Sequence, residues 1–227
     1  MQKNYLQRFL LLIPILFCGG CASTDLAPIK MEKGELEKLK TQSNIIAVHY
    51  KPAPFRLVTE GTTMASGIGV LFGAVGGAIG AGATINKVES AGQEMVETYS
   101  LQDPVLRVEE QILNVLNTNH GMHNIHAVPE TIVEGNFDLL RKQYGAGIII
   151  DFMTVNWGLG FFPFDRSHYR TPLFIRARLV DLKDSKVLWQ VSCRVMEDKT
   201  DNSPNIDEIK EDNGALLKKK LIAAADI

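Results

Sequence analysis

Apolar positions along the chain fall into short runs whose period changes from segment to segment. Ile45–Val48 is a continuous apolar run that reads as a strand, and Pro52 and Pro54 either end it or place it at a sheet edge. Residues 86–100 are polar enough to suit an exposed helix. Asp103-Pro104 is a helix start, with the acid as cap and proline in the first helical position. Val105, Val108, Ile112 and Val115 then recur on one helical face. Asn117–Gly121 suits a left-handed helix end. Residues 125–128 predict a short strand, 137–145 a helix closed by Gly145, and 147–157 a strong strand. The stretch 157–169 reads as a long aromatic loop. Residues 171–182 alternate, with Leu173, Ile175, Ala177 and Leu179 on one face and Arg176 and Arg178 on the other. Asp184-Ser185 turns the chain into a partner strand ending at Val195. Its apolar face takes Val187, Trp189, Val191, Cys193 and Val195, and Gln190, Ser192 and Arg194 face outward. A last helix is expected from about Ile206. The fold class is therefore α+β, a mixed or antiparallel sheet with helices packed on one face.

One stretch fits none of this. Met64 to Ala83 carries no charge, and seven of its twenty residues are glycine. Gly69, Gly73, Gly77 and Ala81 recur at spacing four, and Gly76 and Gly80 form an overlapping pair. On a helix these make a flat stripe of small residues, which lets helices approach closely in lipid. Twenty residues at about 1.5 Å each reach about 30 Å, one hydrocarbon thickness. Against this, each glycine costs about 1 kcal/mol relative to alanine in a helix. Two readings stay open, a helix-packing or membrane segment and an apolar linker or buried insert. The dinucleotide spacing fails, because Phe72 and Ile85 stand where the third glycine belongs.

The N-terminus gives an address. Lys3 and Arg8 precede the apolar run Phe9–Phe17, and Gly19-Gly20-Cys21-Ala22-Ser23 follow. A basic start, a short apolar core and small residues before a cut make a secretory signal. Gly19-Gly20-Cys21 resembles the bacterial lipobox, with Cys18 where that family usually has leucine. The resemblance implies cleavage before Cys21, diacylglycerol on its sulfur and an acyl chain such as palmitate on its amine. The lack of aspartate at positions 22 and 23 resembles the sorting pattern for the outer membrane, periplasmic face. The expected organisation is a signal peptide over 1–20, a tether over 21–43, a first strand region over 44–63, the glycine-rich segment over 64–85 and an α/β domain over 86–227.

Charge and cysteine count narrow the partners. The chain has formal charge −2, and losing residues 1–20, with two basic residues and no acid, takes it to −4. Nothing forms a basic stripe, so nucleic acid is not an expected partner. With Cys18 removed and Cys21 lipidated, Cys193 is left alone, and its strand position predicts a buried small hydrophobe.

Candidate chemistry is sparse. His120, His123 and His126 do not share one face of a helix or strand, so they read as a surface turn and no metal site is expected. Asp151 is a lone carboxylate in an apolar strand, bonded to a neighbour or turned to an edge. No catalytic residue, enzyme activity or cofactor is expected. Trp157, Phe161, Phe162, Phe164, Arg166 and Tyr169 combine aromatic and arginine side chains, as contact surfaces do; packing beneath the sheet is the alternative.

Tyr144-Gly145-Ala146 before a strand, Ala177-Arg178-Leu179-Val180-Asp181, and Lys186-Val187-Leu188-Trp189 resemble a group of bacterial envelope lipoproteins whose periplasmic domain is similar to the TolB N-terminal and CsgG-type α/β domains. Gly147 stands where that group has aspartate, and Asp184-Ser185 where it has Thr-Gly. The resemblance covers roughly residues 100–195. It implies a module for envelope assembly, with the membrane and other envelope proteins as partners in a secretion or transport complex. The alternative is a homo-oligomeric, membrane-inserting pore built through the glycine-rich segment.

Overall fold

The computed structural model describes residues 27–32, 34–42, 44–60, 82–129 and 136–226. Cys21, Gly69, Gly73, Gly76, Gly77, Gly80 and Ala81 lie outside them, as does nearly all of the glycine-rich run. No helix among the described residues is long and apolar enough to cross a membrane.

A mixed sheet organises the chain. Its strands are β1 (Ile45–His49), β2 (Arg56–Val58), β3 (Ile125–Ala127), β4 (Ile148–Phe162), β5 (Asp165–Arg170), β6 (Leu173–Asp181) and β7 (Lys186–Val195). The main order is β3-β1-β4-β6-β7, with β2 and β5 paired to the far end of β4. β1 runs parallel to both β3 and β4, whereas β4, β6 and β7 pair antiparallel. The helices are α1 (Glu35–Lys40), α2 (Gly82–Tyr99), α3 (Val105–His120), α4 (Phe137–Tyr144) and α5 (Ile206–Ala225).

Helices cover both faces, which corrects the expected one-sided packing. The larger core joins α2, α3 and α5 to the face carrying Ala47, Ile150, Phe152, Ile175, Ala177 and Leu179. On the opposite face, Leu140 of α4 packs with Val48, Tyr50, Ile149 and Val180. α4 covers that side because Phe137, Leu140 and Tyr144 make its apolar stripe.

Local signals set the helix ends. Val105 N–H donates to the Asp103 carboxylate at 3.0 Å, and Gly121 ends α3 in the left-handed region at φ 65°. Asn205 and Glu208 form a reciprocal capping box on α5. α5 bends at Glu211–Gly214, where Asp212, Asn213 and Gly214 all have positive φ.

Three strand expectations change. β4 runs on to Phe162 and returns through β5, so residues 157–169 form a strand hairpin rather than a loop. Arg176 and Arg178 are buried rather than solvent-facing, and the Arg178 guanidinium lies 5.6 Å from the Phe137 ring of α4, which covers that part of the face. In β7 a bulge at Leu188 moves Val187 to the other face: Leu179 pairs with Trp189, but Val180 with Val187. Residues 27–32 and 34–42, within the expected tether, meet the fold, with Leu39 in the core and Ile29 bridged to Gln190 of β7.

Candidate functional site

The sheet ends at β7, and the helices stop short of covering it. α3 stands over β6 and β7 through Val108, Ile112, Val115 and Leu116. The strands answer with Leu173, Ile175, Leu179, Trp189, Val191, Cys193 and Val195. Between them lies a groove of about 720 Å³, closed at one end by Met31, Leu36 and Leu39 and at another by Ala224 and Ala225. Its volume is that of a small-ligand site. Lys30, Gln111 and His120 are the charged or amide-bearing residues lining it, and Gln111 already donates to Asp226 at 2.6 Å. Val115 and Val191 remain 46% and 38% exposed, and Cys193 is an exposed free thiol rather than the buried hydrophobe expected. The cause is physical: β7 ends the main strand order, and α3 faces it only across the groove. Walls of this composition bind apolar groups through the area removed from water and offer little to a polar ligand.

Two buried polar clusters have other work. At the end of β1, His49 Nδ1 lies 2.9 Å from the Glu109 carboxylate on α3. Nearby, the Thr154 hydroxyl donates to Asp103 at 2.5 Å, beside the Val105 N–H. Burial pushes the Asp103 and Glu109 carboxyls up; Thr154 and Val105 oppose this at Asp103, and the His49 charge opposes it at Glu109. These contacts fasten the start of α3 to β1 and β4. On the other face, Asp151 is fully buried and accepts hydrogen bonds from Arg178 and, at 3.0 Å, from the Tyr50 hydroxyl. Asp151 is thus the bonded carboxylate of the two readings the sequence left open. Burial, then the Asp151 charge, pushes the Tyr50 hydroxyl well up. Burial pulls the Arg178 guanidinium down, but Asp151 outweighs it and holds Arg178 protonated.

The aromatic residues of 157–169 divide. Trp157, Phe161, Phe162 and Tyr169 are buried. Trp157 sits edge-on to Phe55 at 5.0 Å and donates its indole N–H to the Ala53 carbonyl at 2.7 Å. For these four, packing is the role the fold displays. Phe164 is fully exposed at the hairpin tip, and Arg166 beside it is largely exposed, 4.0 Å from Glu60. The histidines scatter: His120 borders the groove, His123 meets Asn117, and His126 is exposed on β3. Among the described residues, no group of three or more His, Cys, Asp or Glu side chains is placed to hold a metal.

The groove itself is not among the sites read from sequence. Its signal was present: α3 and β7 carry more apolar positions than the elements beside them can cover.

No family model matches the chain, and no curated protein matches it. Among solved structures, it is similar to the PelC dodecamer from Paraburkholderia phytofirmans, at 9% identity over 80% of this chain and 84% of that one, with a TM-score of 0.29. It is also similar to lipoprotein GNA1162 from Neisseria meningitidis, at 14% identity over 82% of this chain and all of that one, with a TM-score of 0.26. Likenesses this distant carry no argument about function.

Proposed function

We propose that this protein is a lipid-anchored component of the bacterial envelope that works by binding, as a structural or assembly element of a multiprotein secretion or transport complex. The observation that carries the binding role is the tip of the β4–β5 hairpin, where Phe164 is fully exposed beside the largely exposed Arg166. The lipobox-like Gly19-Gly20-Cys21 supports the anchor.

The test is the native mass of the full-length protein, gently extracted from its own membranes, with co-migrating proteins identified. A large species containing other envelope proteins is the expected result. A homo-oligomer alone, able to permeabilise liposomes, would replace this reading with the pore. A monomer would remove the assembly role.

A further inference from the structure

We propose that the groove between α3 and β7 receives one acyl chain of the lipid on Cys21, clamping the folded domain at the membrane surface. This deepens the proposed function and rests on its lipid anchor.

Three observations carry it. First, the chain enters the fold beside the groove. Ile29 and Gln190 exchange both backbone hydrogen bonds at 3.0 Å, and the Gln190 side chain donates to the Ala27 carbonyl at 2.6 Å. Lys30 and Met31 then line the groove. Second, Cys21 precedes Ala27 by six residues. Even fully extended, six residues span only about 20 Å. A lipid on Cys21 is therefore held within reach of the groove mouth, where Val115, Val191 and Cys193 are exposed. Third, the lining suits hydrocarbon better than peptide. A peptide brings an N–H and a carbonyl with each residue, and burying them without partners is costly. An acyl chain brings none, and this groove sets Lys30, Gln111 and His120 against a far larger apolar wall.

Lodging one chain leaves the others in the bilayer, where two suffice for durable attachment. The consequence is orientation: the domain sits with its β7 edge toward the membrane instead of turning freely on a tether.

The experiment grows cells on a fatty acid bearing a photoactivatable diazirine, so that the lipid on Cys21 carries the probe. Intact-mass measurement first reads the lipid itself. Illumination of intact membranes, then peptide mapping, is expected to join the Cys21 lipid to peptides of the same chain containing Val115 and Val191. Val191→Arg places a charge at the mouth on an exposed position, and is expected to lower that cross-link at least tenfold with the lipid mass unchanged. Lipid present on Cys21 but cross-linked only to bilayer lipids, or to other proteins, overturns the groove assignment and leaves the anchor standing. An unchanged cross-link in Val191→Arg overturns it as well. A chain with no lipid on Cys21 removes the anchor, and this proposal with it.

Discussion

Arg178 on β6 holds Asp151 on β4 with three hydrogen bonds of 2.7 to 3.1 Å, beneath α4 on the face opposite the groove. The two residues are register partners, so the pair pins the alignment of β4 and β6. Removing one member leaves the other charge buried, which costs about 3–5 kcal/mol. Arg178→Met should lose that much in urea unfolding. The double variant Asp151→Leu/Arg178→Met, made in a Tyr50→Phe background so that no buried hydroxyl loses its acceptor, should recover most of it, because an apolar pair of similar volume has no charge to desolvate. A double variant as unstable as the single one would count against this account.

Gly92 on α2 faces the Phe55 backbone so closely that an added Cβ would lie 1.8 Å from its carbonyl oxygen. Backbone cannot give way as a flexible side chain would. Gly92→Ala should therefore lose about 2 kcal/mol despite alanine's better helix propensity. At about 2–4 °C per kcal/mol, the midpoint of thermal unfolding should fall by about 4–8 °C. Gly147→Ala is the control: nothing lies within 4 Å of its Cβ, and its stability should move by less than about 0.5 kcal/mol.

Those examples show where sequence pattern carried and where it stopped. Asp103-Pro104 and Gly121 mark the ends of α3, and Ile45–Val48 marks β1, because caps and apolar runs are local properties. Alternation in β6 separated Arg178 from Leu179, but it says nothing about what lies over each face, and α4 over the arginine face was not local information. Gly158 and Gly160 made the second half of β4 read as loop. The strand needs glycine at 158, where a Cβ would lie 2.3 Å from the carbonyl oxygen of Arg56, its parallel partner on β2. The bulge at Leu188 turned Val187 to the other face, and the open groove beside β7 left Cys193 exposed on the face that alternation gave it.

Asp103 and Glu109 give the stability an acid-side signature. Burial raises both carboxyls, so the folded chain binds their protons more tightly than the unfolded chain does. From these groups, stability rises as pH falls from neutral through the raised folded values, and levels off below the ordinary carboxylate range of about 4. Asp103→Asn keeps an oxygen able to accept from Thr154 and Val105 but has no proton to bind. Subtracting its stability–pH curve from that of the wild type should leave a difference that grows in favour of the wild type toward pH 4. A flat difference would mean that Asp103 ionises in the fold as readily as it does in the unfolded chain.

Phe164 sits at the tip of the β4–β5 hairpin with φ 66°, fully exposed. A bulky residue in the left-handed region costs about 1–2 kcal/mol, and an exposed ring recovers none of that by burial. Glycine relieves the strain but adds freedom to the unfolded chain, worth about 0.5–1 kcal/mol in the opposite direction. Phe164→Gly should leave the domain unchanged or up to about 1.5 kcal/mol more stable in chemical unfolding. The same variant tests the contact reading of the hairpin. If Phe164 and the neighbouring Arg166 touch a partner, the native complex extracted from membranes should lose components in Phe164→Gly while the fold gains stability. A variant whose complex keeps its full mass would assign the tip no part in assembly.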